Sequence, residues 1–495
     1  MVDKNSGTKR KELMPSPYSD RRTGAFGYFN IWVGMAVIIA TFSVGGEGVH
    51  HLKLGYVAVA CFLANFILGL VITLVGDIGI EHGIPFPIYL RVPFGPIGSF
   101  IPSLMRGFLG CVWFGIQTYF GAIAINYIIK YFFGLDYWFF WYIALVIVQV
   151  INAALGFKSI ERFANLAAPS IIIVSIYIFF KINTVSQANG LDIWNTVLGQ
   201  NTTTPATFSG FMAVFIPVFF ANMAYWSTSA SDPQNLTRNI KAPQFETNWF
   251  KRNINTLAGH ILALPLTQTF IVVLGGGSLI VLGNWNPIEA IQTTASGPVL
   301  IILLVLVIFA QWSTNTSANL LPPAMTFLNV GKKYFGYPVA VILVGVVASV
   351  LRPWAIMEQI MGLLNIMASV YSAIVGVSIV DYYILRKRCI NVPEIYKHDA
   401  GQFEGYKGWN MAGIISLIIG IIVANLLSEI GFLAGFISSG IVYYVLGKYW
   451  WYKKYKQPEI ENYNEKYLGI TVGHDWNIEG EQVYIKKLQS ENFEV

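Results

Sequence analysis

The chain has 495 residues, of which 55% are hydrophobic and only 12% charged, with a formal net charge of +6 and a mean hydropathy of +0.56. A soluble chain of this length covers its surface with about a quarter charged residues, so this composition excludes a water-solvated domain and requires lipid as the solvent. The basic residues sit in short loops rather than in one patch, which gives no signal for a nucleic-acid partner. The three cysteines (Cys61, Cys111, Cys389) form neither a metal-ligand spacing nor a disulfide framework.

In chain order, MVDKNSGTKRKELMPSPYSDRR is too polar and basic for a cleavable signal peptide and reads as a cytoplasmic leader, residues 1–26. Apolar stretches of about 20 residues span a bilayer as helices. Twelve are predicted, near 28–48, 54–76, 98–129, 138–156, 163–182, 208–231, 257–282, 297–323, 337–352, 354–384, 411–429 and 431–450. Residues 27–385 then form a ten-helix core and 386–410 a cytoplasmic loop. Two C-terminal spans follow over 411–450, with a cytoplasmic tail at 451–495.

The loops divide by charge. The leader, GFKSIER, TRNIKAPQFETNWFKRN, NVGKKYFG, LRKRCINVPEIYKHD and KYWWYKKYK fall on one side and hold most of the Lys and Arg. The loops around HHLKLG, QANGLDIWN, GNWNPIE and LLSEI fall on the other. This is the positive-inside pattern. It predicts an even number of spans and cytoplasmic termini.

Two spans look interrupted, the first by SVGGEG at 43–48 and the sixth by WSTSASDP at 226–233. Broken backbone at membrane depth is tolerated beside a cavity. Paired breaks five spans apart point to an inverted-repeat secondary transporter with its site at the midplane. Gly and Pro also mark ordinary helix ends.

No nucleophile–base arrangement stands out, and the GGG at 275–277 lacks the lysine of a phosphate-binding loop. The protein therefore reads as no enzyme, with no cofactor. The pair His50–His51 reads as interfacial. Glu47, Asp77, Asp232 and Glu358 are the ionisable groups singled out within the spans. Such groups are functional suspects by default, and each also lies near an interface where a structural role suffices. Polar residues at depth say more. Trp113 and Gln117, four apart, share one helix face. FAQWSTNTSANLL at 309–321 is polar on several faces and must meet other helices and a wet site.

The chain resembles the nucleobase–cation symporter-1 family, which includes hydantoin, allantoin, cytosine and uracil permeases. The resemblance runs from about Gly24 to the region of Trp450. It is carried by HGIPFPIYLRVPFG at 82–95, LMRGFLGCVWFGIQTYFG at 104–121, WSTSASDPQNLTR at 226–238, STNTSAN at 313–319, and DYYILRKR with YKGWN at 381–410. It implies an all-α membrane protein of about twelve helices with a five-plus-five inverted-repeat (LeuT-like) fold and broken helices 1 and 6. The implied function is symport of a planar heterocycle with a cation at the plasma membrane.

Carried over by residue, the resemblance implies that Trp113 and Trp226 stack on the two faces of the ring while Gln117 and Asn319 bond its edge. A carboxamide offers both donors and an acceptor to alternating N–H and C=O groups, and indoles supply flat apolar area. Gly115 and Gly121 would permit close helix packing. The implied Na+ ligands are Ala36 and Ile39 in the first span with Ala310, Ser313 and Thr314 in the eighth; a hard cation takes such oxygen donors. Both hydroxyls are present, whereas some proton-coupled relatives lack one, which favours Na+; proton coupling through Glu47 or Asp232 stays open.

The chain also departs from the family. IIAT at 38–41 replaces the Asn-Ile-Pro-Thr of allantoin carriers and loses polar contact potential. DPQNLTR exchanges the Asn and Asp of the usual motif, placing Asp232 and Asn235 at those positions. A five-plus-five carrier of another small substrate is the alternative reading. The sequence carries no signal for oligomeric state.

Overall fold

The computed structural model describes residues 11–155, 157–199, 207–331, 334–356, 360–397 and 401–488. Glu358, Lys332 and Lys333 lie outside the described residues, as do the first ten residues of the leader and the last seven of the tail.

Among the described residues, twelve apolar helical segments lie where the sequence predicts spans. Seven single helices among the described residues are long and apolar enough to cross a bilayer. The bent pair Ala25–Ala36 and Ile39–Gly48 makes an eighth crossing. Four shorter apolar helices, Trp138–Ala154, Ile172–Ala188, Tyr337–Val350 and Met411–Leu426, complete the set. The spans fall into two packed groups. The first, second, sixth and seventh (Ala25–Gly48, Leu54–His82, Phe208–Ser231, Ile254–Leu282) contact one another; so do the third, fourth, eighth and ninth (Phe100–Phe133, Trp138–Ala154, Gly297–Val330, Tyr337–Val350). Each group pairs a span with the one five places later, as a five-plus-five repeat demands. The eleventh and twelfth spans pack on the tenth.

The break in the first span is not at SVGGEG. The two half-helices meet at 64° across Val37 and Ile38, whose backbones leave the helical region (φ −90°, ψ 84° and φ −117°, ψ 143°). SVGGEG instead lies within the second half-helix, and its glycines serve packing. A Cβ on Gly45 would overlap the Val272 carbonyl of the seventh span, and one on Gly275 would overlap the Phe42 carbonyl. The GGG at 275–277 thus gives a half-helix a surface to rest on. The sixth span breaks where predicted, with Trp226 between Phe208–Tyr225 and Ser227–Ser231. The polar stretch of the eighth span widens into a π turn over Thr316–Leu320.

Among the described residues, the leader, the basic loops before the seventh span and after the tenth, and the tail come together and are tied by buried ion pairs and hydrogen bonds. Arg252 donates to both oxygens of Asp77 (3.0 and 2.9 Å) and lies 3.3 Å from Glu81. Arg386 bridges Asp381 (2.9 Å) and Glu459 (2.7 Å). Asp77 is therefore a structural anchor. The tail is built into this cluster: an antiparallel hairpin, His474–Glu479 with Gln482–Lys487, is pinned by Trp476 Nε1 donating to the His82 carbonyl (2.7 Å). Asp475 accepts the amide of Tyr18 from the leader at 2.7 Å. Burial lowers the Arg21 guanidinium to about 10, and it donates to the Ile80 carbonyl.

Candidate functional site

The two groups of spans meet around a cluster of aromatic rings. Trp113 on the third span lies edge-on to Tyr225 (centroids 5.5 Å, 66°). Tyr225 continues to Trp226 at the sixth-span break (5.8 Å), and Trp226 to Trp32 of the first half-helix (5.8 Å, 53°). The two tryptophans singled out in the sequence are thus joined through Tyr225. Trp113 donates Nε1 to the Met367 sulfur of the tenth span at 3.0 Å. Trp226 donates Nε1 to the Gln268 carboxamide oxygen of the seventh at 2.8 Å.

Gln117, one turn beyond Trp113 on the same face, is fully buried. Neither its Nε2 nor its Oε1 has a hydrogen-bond partner among the described residues. A stranded buried amide costs roughly 1–3 kcal/mol per group in protein mutational data, so the Gln117 carboxamide has a donor and an acceptor to offer a partner. Asn319 donates to the Asn315 side chain at 3.1 Å. Asn315 in turn donates to the Phe114 carbonyl, the Thr118 hydroxyl and the Gln149 carboxamide, each at 2.9 Å. Phe114 and Thr118 bracket Gln117, so the eighth span is keyed to the third there. Close helix approach follows from small residues as predicted: a Cβ on Gly115 would meet Pro353, and one on Gly121 would meet Leu145.

The residues implied for the cation lie at the first-span break and the facing turn of the eighth. Ala36 ends one half-helix and Ile39 begins the other. Thr314 donates its hydroxyl to the Gly34 carbonyl at 2.6 Å, which brings the two elements together. Ala310 and Ser313 lie beside Thr314 on the same span, both buried. Backbone carbonyls and hydroxyls are hard oxygen donors of the kind Na+ takes; the Ala36 carbonyl also accepts the Ile38 amide at 3.2 Å across the break.

The ionisable suspects separate. Glu47 is half exposed beside His51 (3.4 Å). Asp232 is buried and lies 3.1 Å from Arg106 Nε, with Asn235 donating to it at 3.1 Å. Sequence reasoning missed Arg106, although an arginine inside the apolar run 98–129 is itself the signal. It also missed Gln268, which invites the same question as Gln117.

Trp113, Gln117, Trp226 and Asn319 are each at most 5% exposed. A cavity of about 560 Å³, bounded by Glu47, His50, Asn222, Trp285 and Leu364, opens toward the loops poor in basic residues. Another of about 370 Å³, bounded by Met14, Ser16, Arg238 and Tyr337, opens at the basic end. Neither cavity is lined by Trp113, Gln117, Trp226 or Asn319.

A multi-pass membrane protein with paired broken helices, a five-plus-five repeat and a polar–aromatic centre at the break is a transporter, not an enzyme. The family of permeases for cytosine/purines, uracil, thiamine and allantoin matches residues 15–450, and the chain belongs to that family, the nucleobase–cation symporter-1 family recognised from its motifs. It is 25% identical to the hydantoin permease of Microbacterium maritypicum over 92% of each chain. It is 26% identical to the allantoin permease of Bacillus subtilis (strain 168), over 88% of this chain and 92% of the relative. Among solved structures it superposes with a TM-score of 0.83 on a nucleobase-cation-symport-1 family transporter in a closed conformation with bromovinylhydantoin bound. That match is 24% identical and covers 91% of this chain and 98% of the other.

Proposed function

We propose that the protein is a secondary symporter that imports a nucleobase or related planar cyclic ureide (hydantoin, allantoin, uracil, cytosine or purine) together with Na+ by alternating access. The carrying observation is Gln117: a buried carboxamide with both polar ends unpartnered, one helical turn from an indole. In this reading Trp113 and Trp226 hold the ring by its faces, and Gln117 and Asn319 bond its edge. The carbonyls of Ala36, Ile39 and Ala310 with the hydroxyls of Ser313 and Thr314 hold Na+. Both ligands favour one state of the first-span break, so each strengthens binding of the other by the same factor. The protein acts in the plasma membrane with its basic end and both termini in the cytoplasm, where positively charged loops are retained.

The test is thermal stability of the detergent-purified protein against these heterocycles, in Na+ and in K+ at matched ionic strength. A ligand that binds only the folded state raises the melting temperature by mass action. A shift with one ring class, larger in Na+, supports both parts. An equal shift in both salts removes Na+ as coupling ion and points to protons. No shift with any ring refutes the substrate class.

A further inference from the structure

The break in the first span is lined by Val37, Ile38, Ile39 and Ala40, so it offers the site no polar side chain there. The seventh span fills the gap. Gln268 is fully buried, and its Oε1 accepts from Trp226 Nε1 at 2.8 Å and from the Thr41 hydroxyl at 3.5 Å. The same Thr41 hydroxyl lies 3.2 Å from the Tyr225 hydroxyl, and Tyr225 is the ring that meets Trp113. One carboxamide oxygen therefore links the Trp226 indole to the second half of the first span and, through Thr41 and Tyr225, to the Trp113 wall. Its Nε2 has no partner among the described residues.

We infer that Gln268 is the positioning residue that fixes the Trp226 indole against the substrate ring, and that its free N–H₂ gives the site a hydrogen-bond donor. This inference rests on the heterocycle reading above. An indole can rotate about two side-chain torsions, and a bond at its N–H removes that freedom before the ligand arrives. Thr41 brings the first-span break into the same contact, so the orientation of Trp226 is tied to the backbone that forms the cation site. A free donor at the edge of the aromatic cluster favours rings that present a carbonyl there. A site built to bond such a group rejects analogues lacking it, because its own polar atom is then stranded.

The test is a double-mutant cycle on the purified full-length protein, with binding of 5-benzylhydantoin, allantoin and uracil measured in Na+ by ligand-induced melting shifts. The variants are Gln268→Met, Gln268→Glu, Trp226→Phe and Gln268→Met with Trp226→Phe; Gln117→Ala serves as control. Gln268→Met should weaken the ring that wild type binds about tenfold, but no more than twofold when Trp226 is already Phe, which has no N–H to hold. Gln268→Glu keeps the acceptor for Trp226 and removes the donor, so it should alter the rank order of the rings. Unchanged binding by Gln268→Met, or an equal loss in both backgrounds, overturns the inference. If Gln117→Ala abolishes binding while Gln268→Met is neutral, the inference alone falls. If cooperatively melting wild type binds none of the three, the heterocycle reading falls and this inference with it.

Discussion

Arg106 and Asp232 form an ion pair, Nε to Oδ2 3.1 Å, with both side chains almost completely buried. Arg106 belongs to the third span and Asp232 follows the short helix Ser227–Ser231 of the broken sixth, so the pair joins the two packed groups beside the site. Arg106 also donates to the Ala318 carbonyl (3.3 Å). Removing one partner of a buried pair strands the other charge and costs about 3–5 kcal/mol, whereas replacing both with apolar residues is often neutral. Arg106→Met should therefore melt well below wild type, and Arg106→Met with Asp232→Leu should recover most of the loss. A double variant no more stable than the single would show that the pair does not act as a unit.

Asn315 makes three contacts to the third and fourth spans and supports Asn319. Asn315→Ala leaves the buried Gln149 oxygen in want of a donor, and a stranded group of this kind costs about 1–3 kcal/mol. The melting temperature should fall, and heterocycle affinity should fall with it as Asn319 loses its support. Wild-type affinity in a destabilised variant would separate Asn319 from the site.

Thr314 joins the eighth span to the first half-helix through the Gly34 carbonyl. Thr314→Val keeps the shape and removes the oxygen, so heterocycle binding measured in Na+ should drop to the value found in K+. A variant that still binds more tightly in Na+ than in K+ would take Thr314 out of the cation site.

Gly275 lies against the Phe42 backbone with no room for a side chain. Overpacking a tight contact costs typically 1–3 kcal/mol, and here the neighbour is backbone that cannot turn aside. Gly275→Ala should lower both the melting temperature and the folded yield in detergent, while Gly283→Ala, where no atom approaches a Cβ within 4 Å, should cost less, through its positive φ alone. Equal behaviour of the two would contradict the packing role given to the GGG run.

The twelve spans are legible in the sequence because lipid leaves each crossing a long apolar run, and Trp113 with Gln117 because a four-residue spacing fixes one helix face. The first-span break is not legible in the same way. Val37 and Ile38 are ordinary β-branched residues with no Gly or Pro to mark the turn, while the glycines that do attract attention are used for close packing, Gly45 on the backbone of the seventh span, Gly46 on Trp285 and Gly48 on Val57. Asp77 and Asp232 look like functional charges until Arg252 and Arg106 are brought to them from distant parts of the chain. Gln268 shows no periodic partner in sequence; its place beside Trp226 exists only once the sixth and seventh spans are packed. The tail hairpin is hidden because its anchors, Tyr18 and His82, are hundreds of residues away.

The central claim is cation-driven accumulation of a planar ring through the Trp113–Gln117 site, and the most direct test is uptake into proteoliposomes. Radiolabelled hydantoin, allantoin and uracil are offered with an inward Na+ gradient, with Na+ equal on both sides, and with K+ in place of Na+, for wild type and Gln117→Ala. The account predicts that wild type concentrates one ring class above its external level only under the inward Na+ gradient, and that Gln117→Ala does not. Normal accumulation by Gln117→Ala, or accumulation by wild type that ignores the Na+ gradient, would contradict it.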